Sequence, residues 1–175
     1  MTFHDSPALR SSRLVIVFAD LAGYARGFRD HSDEEMARFL DRYYHACFEL
    51  FEARGGRVVK LIGDSCLVVF PERDGSAAAE ALIELERRVS SLADEHDLDV
   101  ILGANVHCGS VMEGLYGPTD RARYDIIGSA VNHAALMGRG PGLRLSEPVY
   151  RQLPSGDRSP WQKVKPPAVY HHRAG

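Results

Sequence analysis

The chain predicts an α+β domain of ferredoxin-like type. Two observations say so. Apolar runs of strand length alternate along the chain with amphipathic helical stripes, and these elements fit around one sheet. The 175 residues show no internal repeat and no low-complexity tract, which suits a single domain with a sizeable core. Residues 1–12, polar and with a proline, read as a loose leader, so the domain is expected over 13–175.

The elements follow in order. A first strand is expected from about Arg13 to Ala19. Leu21-Ala22-Gly23-Tyr24-Ala25-Arg26-Gly27 then turns the chain, with glycines that let backbone N–H groups approach a ligand. Ser32-Asp33-Glu34-Glu35 is a capping-box sequence. The helix after it puts Met36, Phe39, Leu40, Tyr43, Cys47 and Leu50 on one stripe, and Gly55-Gly56 ends it. Two strands meet at a tight Gly63-Asp64 turn. A second helix starts at Asp74-Gly75-Ser76 and carries Ala78, Leu82, Leu85, Val89 and Leu92. Val100 to His107 is the next strand; Gly114 to Pro118 and Arg123 to Ile127 read as strand, loop and strand. A helix opens near Ser129 and closes at Gly138, Gly140 and Pro141. A short strand, a short helix from Pro148 to Leu153 and a strand pair near Val164 and Tyr170 complete the chain.

Composition bounds the function. Apolar content of 45% and charged content of 26% are ordinary for a globular protein, and a net charge of −3 argues against a general nucleic-acid binder. Cys47, Cys66 and Cys108 lack metal-site spacing; Cys66 and Cys108 read as small core residues, and a reducing, cytoplasmic setting is expected. No apolar stretch reaches membrane-spanning length and the N-terminus lacks a signal-peptide layout, so the expectation is a soluble, unanchored chain without a fused sensor domain.

The chemistry starts at two acids. Asp20 ends the run Leu14-Val15-Ile16-Val17-Phe18-Ala19, and Asp64 follows Gly63 between Val58–Ile62 and Cys66–Phe70. Carboxylates at the ends of neighbouring strands can converge on a divalent cation, and such a pair with open positions suits Mg²⁺ and a substrate phosphate.

Four segments then carry a resemblance: Phe18-Ala19-Asp20-Leu21-Ala22-Gly23-Tyr24, Lys60-Leu61-Ile62-Gly63-Asp64, Val106-His107-Cys108-Gly109, and Tyr124-Asp125-Ile126-Ile127-Gly128-Ser129-Ala130-Val131-Asn132. Together, from about Leu14 to the C-terminus, the chain resembles the class III nucleotidyl (adenylate/guanylate) cyclase catalytic domain. The resemblance implies that family's fold, with a mostly antiparallel central sheet under packed helices. It implies a head-to-tail homodimer with active sites at the interface, and a nucleoside triphosphate substrate converted to the 3′,5′-cyclic nucleotide, a second messenger, and pyrophosphate. Asp20, Asp64 and the backbone carbonyl of Leu21 would hold two Mg²⁺ ions, with Mn²⁺ able to substitute. Lys60 and Asp125 from the other protomer would read the base. A lysine donor suits adenine N1 and an aspartate acceptor suits its exocyclic amine, whereas guanylate cyclases typically carry Glu and Cys there. Asn132 would position the ribose, and Gly23, Tyr24 and Ala25 would cradle phosphates through their N–H groups.

The pattern is broken at the phosphate end. Four residues after Asn132 the family carries a transition-state arginine, and here the residue is Leu136. Arg139, three residues further along the helix, is the candidate substitute. A second family arginine aligns with Gly103, the first-loop threonine aligns with Ala25, and Lys165 aligns with the triphosphate lysine. Two rival expectations follow: a stand-alone pyrimidine cyclase of the bacterial antiphage kind, making cyclic UMP or cyclic CMP, and a degenerate cyclase domain that binds nucleotide as a regulatory partner. Elsewhere, Tyr43-Tyr44-His45 reads as helix face and core, His107 and His133 as core or interface, and His171-His172 as solvated; Arg121 and Arg123 suit a surface loop or a triphosphate contact.

Overall fold

A computed structural model describes residues 8–164 and 169–173. One mixed, mostly antiparallel sheet organises them. Its strands are β1 (Arg10–Ala22), β2 (Arg57–Ile62), β3 (Ser65–Pro71), β4 (Ile101–Tyr116), β5 (Arg123–Ile127), β6 (Gly142–Ser146), β7 (Trp161–Val164) and β8 (Val169–His172). The order across the sheet is β2-β3-β1-β4-β6-β8-β7, with β5 paired to the far half of β4, and only the β4–β6 pair is parallel.

The apolar runs are continuous because the central strands are buried on both faces. Val15, Val17 and Ala19 of β1 and Cys66, Val68 and Phe70 of β3 point into one core with α2 (Asp33–Glu52) and α3 (Gly75–Glu95). Leu14, Ile16, Leu67 and Val69 point the other way, into a smaller core with Ala130 and Ala134 of α4 (Ser129–Leu136). The capping box at α2 is complete: Glu35 N–H donates to Ser32 Oγ at 3.3 Å, and Ser32 N–H donates to Glu35 Oε2 at 2.8 Å. The predicted stripe is buried at Met36, Phe39, Tyr43, Cys47 and Leu50, with Leu40 packed at its rim.

Three expectations shift. Arg10 to Ser12, assigned to the leader, extend β1 by pairing with Val111 to Glu113. The separate strands expected at Val100–His107 and Gly114–Pro118 are one 16-residue strand, β4, because its first half pairs β6 and its second half pairs β5. The segment after Gly23 forms a single helical turn, α1 (Tyr24–Gly27), and a 3₁₀ turn forms at Ser155–Arg158, while the short helix expected from Pro148 is present as α5 (Glu147–Tyr150). Lys165 lies outside the described residues.

Candidate active site

Asp20 sits near the end of β1 with its carboxyl half-buried. Burial pushes that carboxyl above the usual carboxylate range; the negative charge of Asp64 pushes the same way, and the Arg144 guanidinium opposes. The two acids predicted as partners are therefore electrostatic neighbours. Asp64 lies in the β2–β3 turn beside Gly63, whose φ of 58° suits glycine, and Tyr44 Oη pins that turn by donating to the Gly63 carbonyl at 2.6 Å. A half-buried carboxylate facing a second negative charge forms a site that a hard cation would relieve. Their oxygens, together with the Leu21 carbonyl in the adjacent strand position, are the donor type Mg²⁺ takes, so the residues fit the ion. No group of three or more His, Cys, Asp or Glu side chains placed to hold a metal occurs among the described residues.

Lys60 and Asp125 come together on the other side of the β2–β3 turn. Lys60 Nζ lies 2.6 Å from Asp125 Oδ2, with the side chains 42% and 26% exposed, so the pair faces solvent and a ligand can reach it. Two devices aim it. The β2–β3 register slips between Val58 and Lys60, leaving one extra residue that re-aims Lys60. Asp125 Oδ1 accepts from the Ile126 amide at 2.8 Å, which fixes the carboxylate and turns Oδ2 to the lysine. Among the described residues no hydrogen bond or ion pair joins this pair to Asp20 or Asp64.

The remaining predicted residues divide. Asn132 is exposed on α4, and Leu136, one turn on, is 72% exposed. Arg139 is not on that helix: α4 ends at Leu136 with Met137 as its cap, because Gly138, Gly140 and Gly142 follow and two of these have positive φ. Its side chain is exposed and makes no ion pair among the described residues. Gly23, at φ 96°, brings its backbone so close to the Asp99 carbonyl that a Cβ would lie 2.3 Å from that oxygen. Tyr24 turns inward: its ring packs on Phe28 and Phe39 and its hydroxyl donates to the Met36 carbonyl, so only its backbone faces the loop, while Ala25 is exposed.

Gly103 has a geometric reason to lack a side chain. A Cβ there would lie 2.5 Å from the Gly140 carbonyl oxygen and 2.8 Å from Asp20 Oδ1, so no arginine fits while the turn after α4 holds this position. Two residues went unnoticed in the sequence: Asn105, whose Nδ2 donates to the Gly138 carbonyl at 2.9 Å, and the buried Arg144; Tyr44, read there as helix face and core, holds the Asp64 turn. The solvated reading of His172 is overturned. Its side chain is 12% exposed, lies tilted against the Trp161 ring and sits 3.7 Å from Glu86 Oε2 of α3.

The Adenylate and Guanylate cyclase catalytic domain family matches residues 7–158. An adenylate cyclase of Mycobacterium bovis is 32% identical over 146 residues, covering 79% of this chain and 33% of that protein. One of Anabaena cylindrica is 27% identical over 159 residues, covering 83% and 32%. The chain thus spans about a third of the length of these curated relatives. The solved adenylyl cyclase CyaB from P. aeruginosa shares the fold, with a TM-score of 0.83 over 96% of this chain and 97% of that one at 18% identity. The two acids, the Lys60–Asp125 pair and the sheet that holds them therefore sit in a chain that belongs to the adenylate and guanylate cyclase catalytic domain family.

Proposed function

We propose that this chain is the catalytic unit of a nucleotidyl cyclase that converts ATP to 3′,5′-cyclic AMP and pyrophosphate, working as a head-to-tail homodimer with Mg²⁺. The observation that carries the reading is the Lys60–Asp125 pair at 2.6 Å, one donor and one acceptor side by side at a solvent-facing site. That is the complement of the adenine edge. Guanine and uracil present the inverted order of donor and acceptor on that edge; cytosine shares adenine's order, so the size of the bound base, and not this pair alone, separates ATP from CTP.

The absence of any hydrogen bond or ion pair between the two groups among the described residues supports the dimer reading. A triphosphate held by Asp20 and Asp64 must present its base to a Lys60–Asp125 pair, and within one protomer these are not joined. A second copy would bring its pair to the first copy's acids. Exposed apolar residues support such a partner: Met112 and Ile127 are cross-strand neighbours, 41% and 56% exposed, and Ile62 and Leu136 are 52% and 72% exposed.

In the reaction the ribose 3′-oxygen attacks the α-phosphorus, the new P–O bond closes the ring, and the bond to the β-phosphate oxygen breaks as pyrophosphate leaves. The hydroxyl proton passes to solvent, and no side chain is placed as its base. Bound metal would supply a lowered 3′-hydroxyl pKa and neutralisation of the phosphates. Asp20, Asp64 and the Leu21 carbonyl would hold that charge in place; Asn132 would orient the ribose; the Gly23–Ala25 backbone and Arg139 would meet the phosphates.

One observation favours a second reading, a nucleotide-binding partner that does not turn over: the position one turn after Asn132 holds the exposed, apolar Leu136. Incubating the purified chain with Mg²⁺ or Mn²⁺ and each of the four nucleoside triphosphates separates the readings. Cyclic AMP with pyrophosphate supports the proposal. A cyclic pyrimidine product replaces it with the pyrimidine cyclase, and binding without product replaces it with the regulatory domain.

A further inference from the structure

Arg144 lies on β6 opposite Asn105 of β4 and is only 6% exposed. Its guanidinium is spent on backbone. Nη1 donates to the carbonyls of Gly140 at 3.2 Å and Gly142 at 3.1 Å; Nη2 donates to those of Arg139 at 2.9 Å, Gly140 at 3.2 Å and Pro141 at 2.8 Å. No carboxylate lies within ion-pair distance of it among the described residues. The turn it gathers is stripped of side chains where it must close: a Cβ on Gly138 would lie 2.5 Å from Arg144 Nε.

The far side of the same turn touches the acid site. The Gly140 carbonyl oxygen and Asp20 Oδ1 lie 2.5 Å and 2.8 Å from one point, the place a Cβ of Gly103 would occupy. The side-chain space over Gly103 is thus walled on one side by a carbonyl oxygen of the turn and on the other by a carboxylate oxygen of the acid site. Arg144 bonds that carbonyl with both terminal nitrogens.

We propose that Arg144 is a positioning residue for metal capture: by tying down the Gly138–Gly142 turn it fixes the wall beside Asp20 and so holds the Asp20 carboxylate in place for a divalent ion. This rests on the reading of Asp20 as a metal carboxylate. Gly103 completes the device, since a side chain there would drive the turn and the carboxylate apart. A loop anchor serving stability alone has no need of bare backbone at a position shared with a carboxylate oxygen.

Mn²⁺ binding to the purified full chain without nucleotide, followed by the EPR signal of free Mn²⁺, tests it beside circular dichroism and thermal melting. Asp20→Asn is expected to lose binding. Arg144→Met and Gly103→Ala are each expected to weaken it about tenfold or more while retaining a cooperative melt, and Arg144→Lys to restore part of the loss. Folded Arg144→Met and Gly103→Ala proteins that bind Mn²⁺ like the wild type, while Asp20→Asn does not, overturn the positioning role and leave the metal reading intact. Undiminished binding by Asp20→Asn removes the metal reading and the proposal with it. If Arg144→Met does not fold, Arg144→Lys decides: wild-type Mn²⁺ binding by a folded Arg144→Lys protein that has lost the paired guanidinium bonds overturns the positioning role.

Discussion

Lys60 Nζ and Asp125 Oδ2 meet at 2.6 Å across β2 and β5, a donor and an acceptor set side by side by a bulge in one strand and a self-capped carboxylate in the other. If this pair reads the base, changing it changes the nucleotide. The double substitution Lys60→Glu with Asp125→Cys is expected to reverse the ratio of kcat/KM for ATP and GTP, each single change costing about 10- to 100-fold with ATP, the range for hydrogen bonds to charged groups. Cyclic product from each triphosphate is the readout. An unchanged ATP preference in the folded double variant would falsify the base assignment.

The acid pair makes a prediction of opposite sign for activity and stability. Asp20 and Asp64 raise each other's energy when both are ionised, and burial of Asp20 adds to that. Asp64→Ala is expected to lower kcat/KM by two to three orders of magnitude or more, the loss typical when a charge-stabilising group leaves an active site. Its melting temperature without metal is expected to equal or exceed the wild type's. A variant that melts well below wild type assigns Asp64 a structural role instead.

Much of this site was legible because its residues sit at punctuation marks in the chain. Asp20 closes an apolar run and Asp64 follows a glycine between two, so the strand ends could be placed before any coordinates. The capping box at Ser32 was equally local. What escaped depends on tertiary approach. A strand reading Leu143-Arg144-Leu145 suggests a charged side chain facing water, and only the β4–β6 pairing shows the guanidinium buried against a turn. The bulge beside Lys60 belongs to a register between strands, which no single-strand pattern encodes. Arg139 was misplaced for a simpler reason: helical spacing was carried past Leu136 into a stretch where three glycines end the helix.

Leu136 offers a gain-of-function test. It is 72% exposed on α4, one turn after Asn132, so a longer polar side chain meets no packing obstacle there. Leu136→Arg is expected to raise kcat by about tenfold or more, since arginines that stabilise the transferring phosphoryl contribute on the order of a thousandfold in favourable cases. The melting temperature should stay within a degree or two of wild type, as expected for an exposed site. Arg139→Ala in both backgrounds completes the test. A rate loss in the wild type that vanishes beside Leu136→Arg identifies Arg139 as the substitute clamp; no loss in either removes it from the mechanism.

His107 supplies a pH prediction. Its ring packs at a tilt against that of His133, the neighbour of Asn132 on α4, with centroids 4.4 Å apart, and its Nδ1 is buried with no hydrogen-bond partner among the described residues. Burial above all, then the His133 ring on α4 and the Arg13 guanidinium on β1, hold its pKa down to about 4 from an ordinary 6.5. The unfolded chain thus takes up this proton near pH 6.5 while the folded chain does not until about pH 4. The stabilising contribution is complete above 6.5 and is lost as the pH falls toward 4. Melting temperature is therefore expected to drop on going from about pH 7 to about pH 5, and to drop less in His107→Phe, which keeps a ring in the contact and removes the proton site. Equal drops in the two proteins would show that other groups carry the acid sensitivity and that the α4 contact is indifferent to this imidazole.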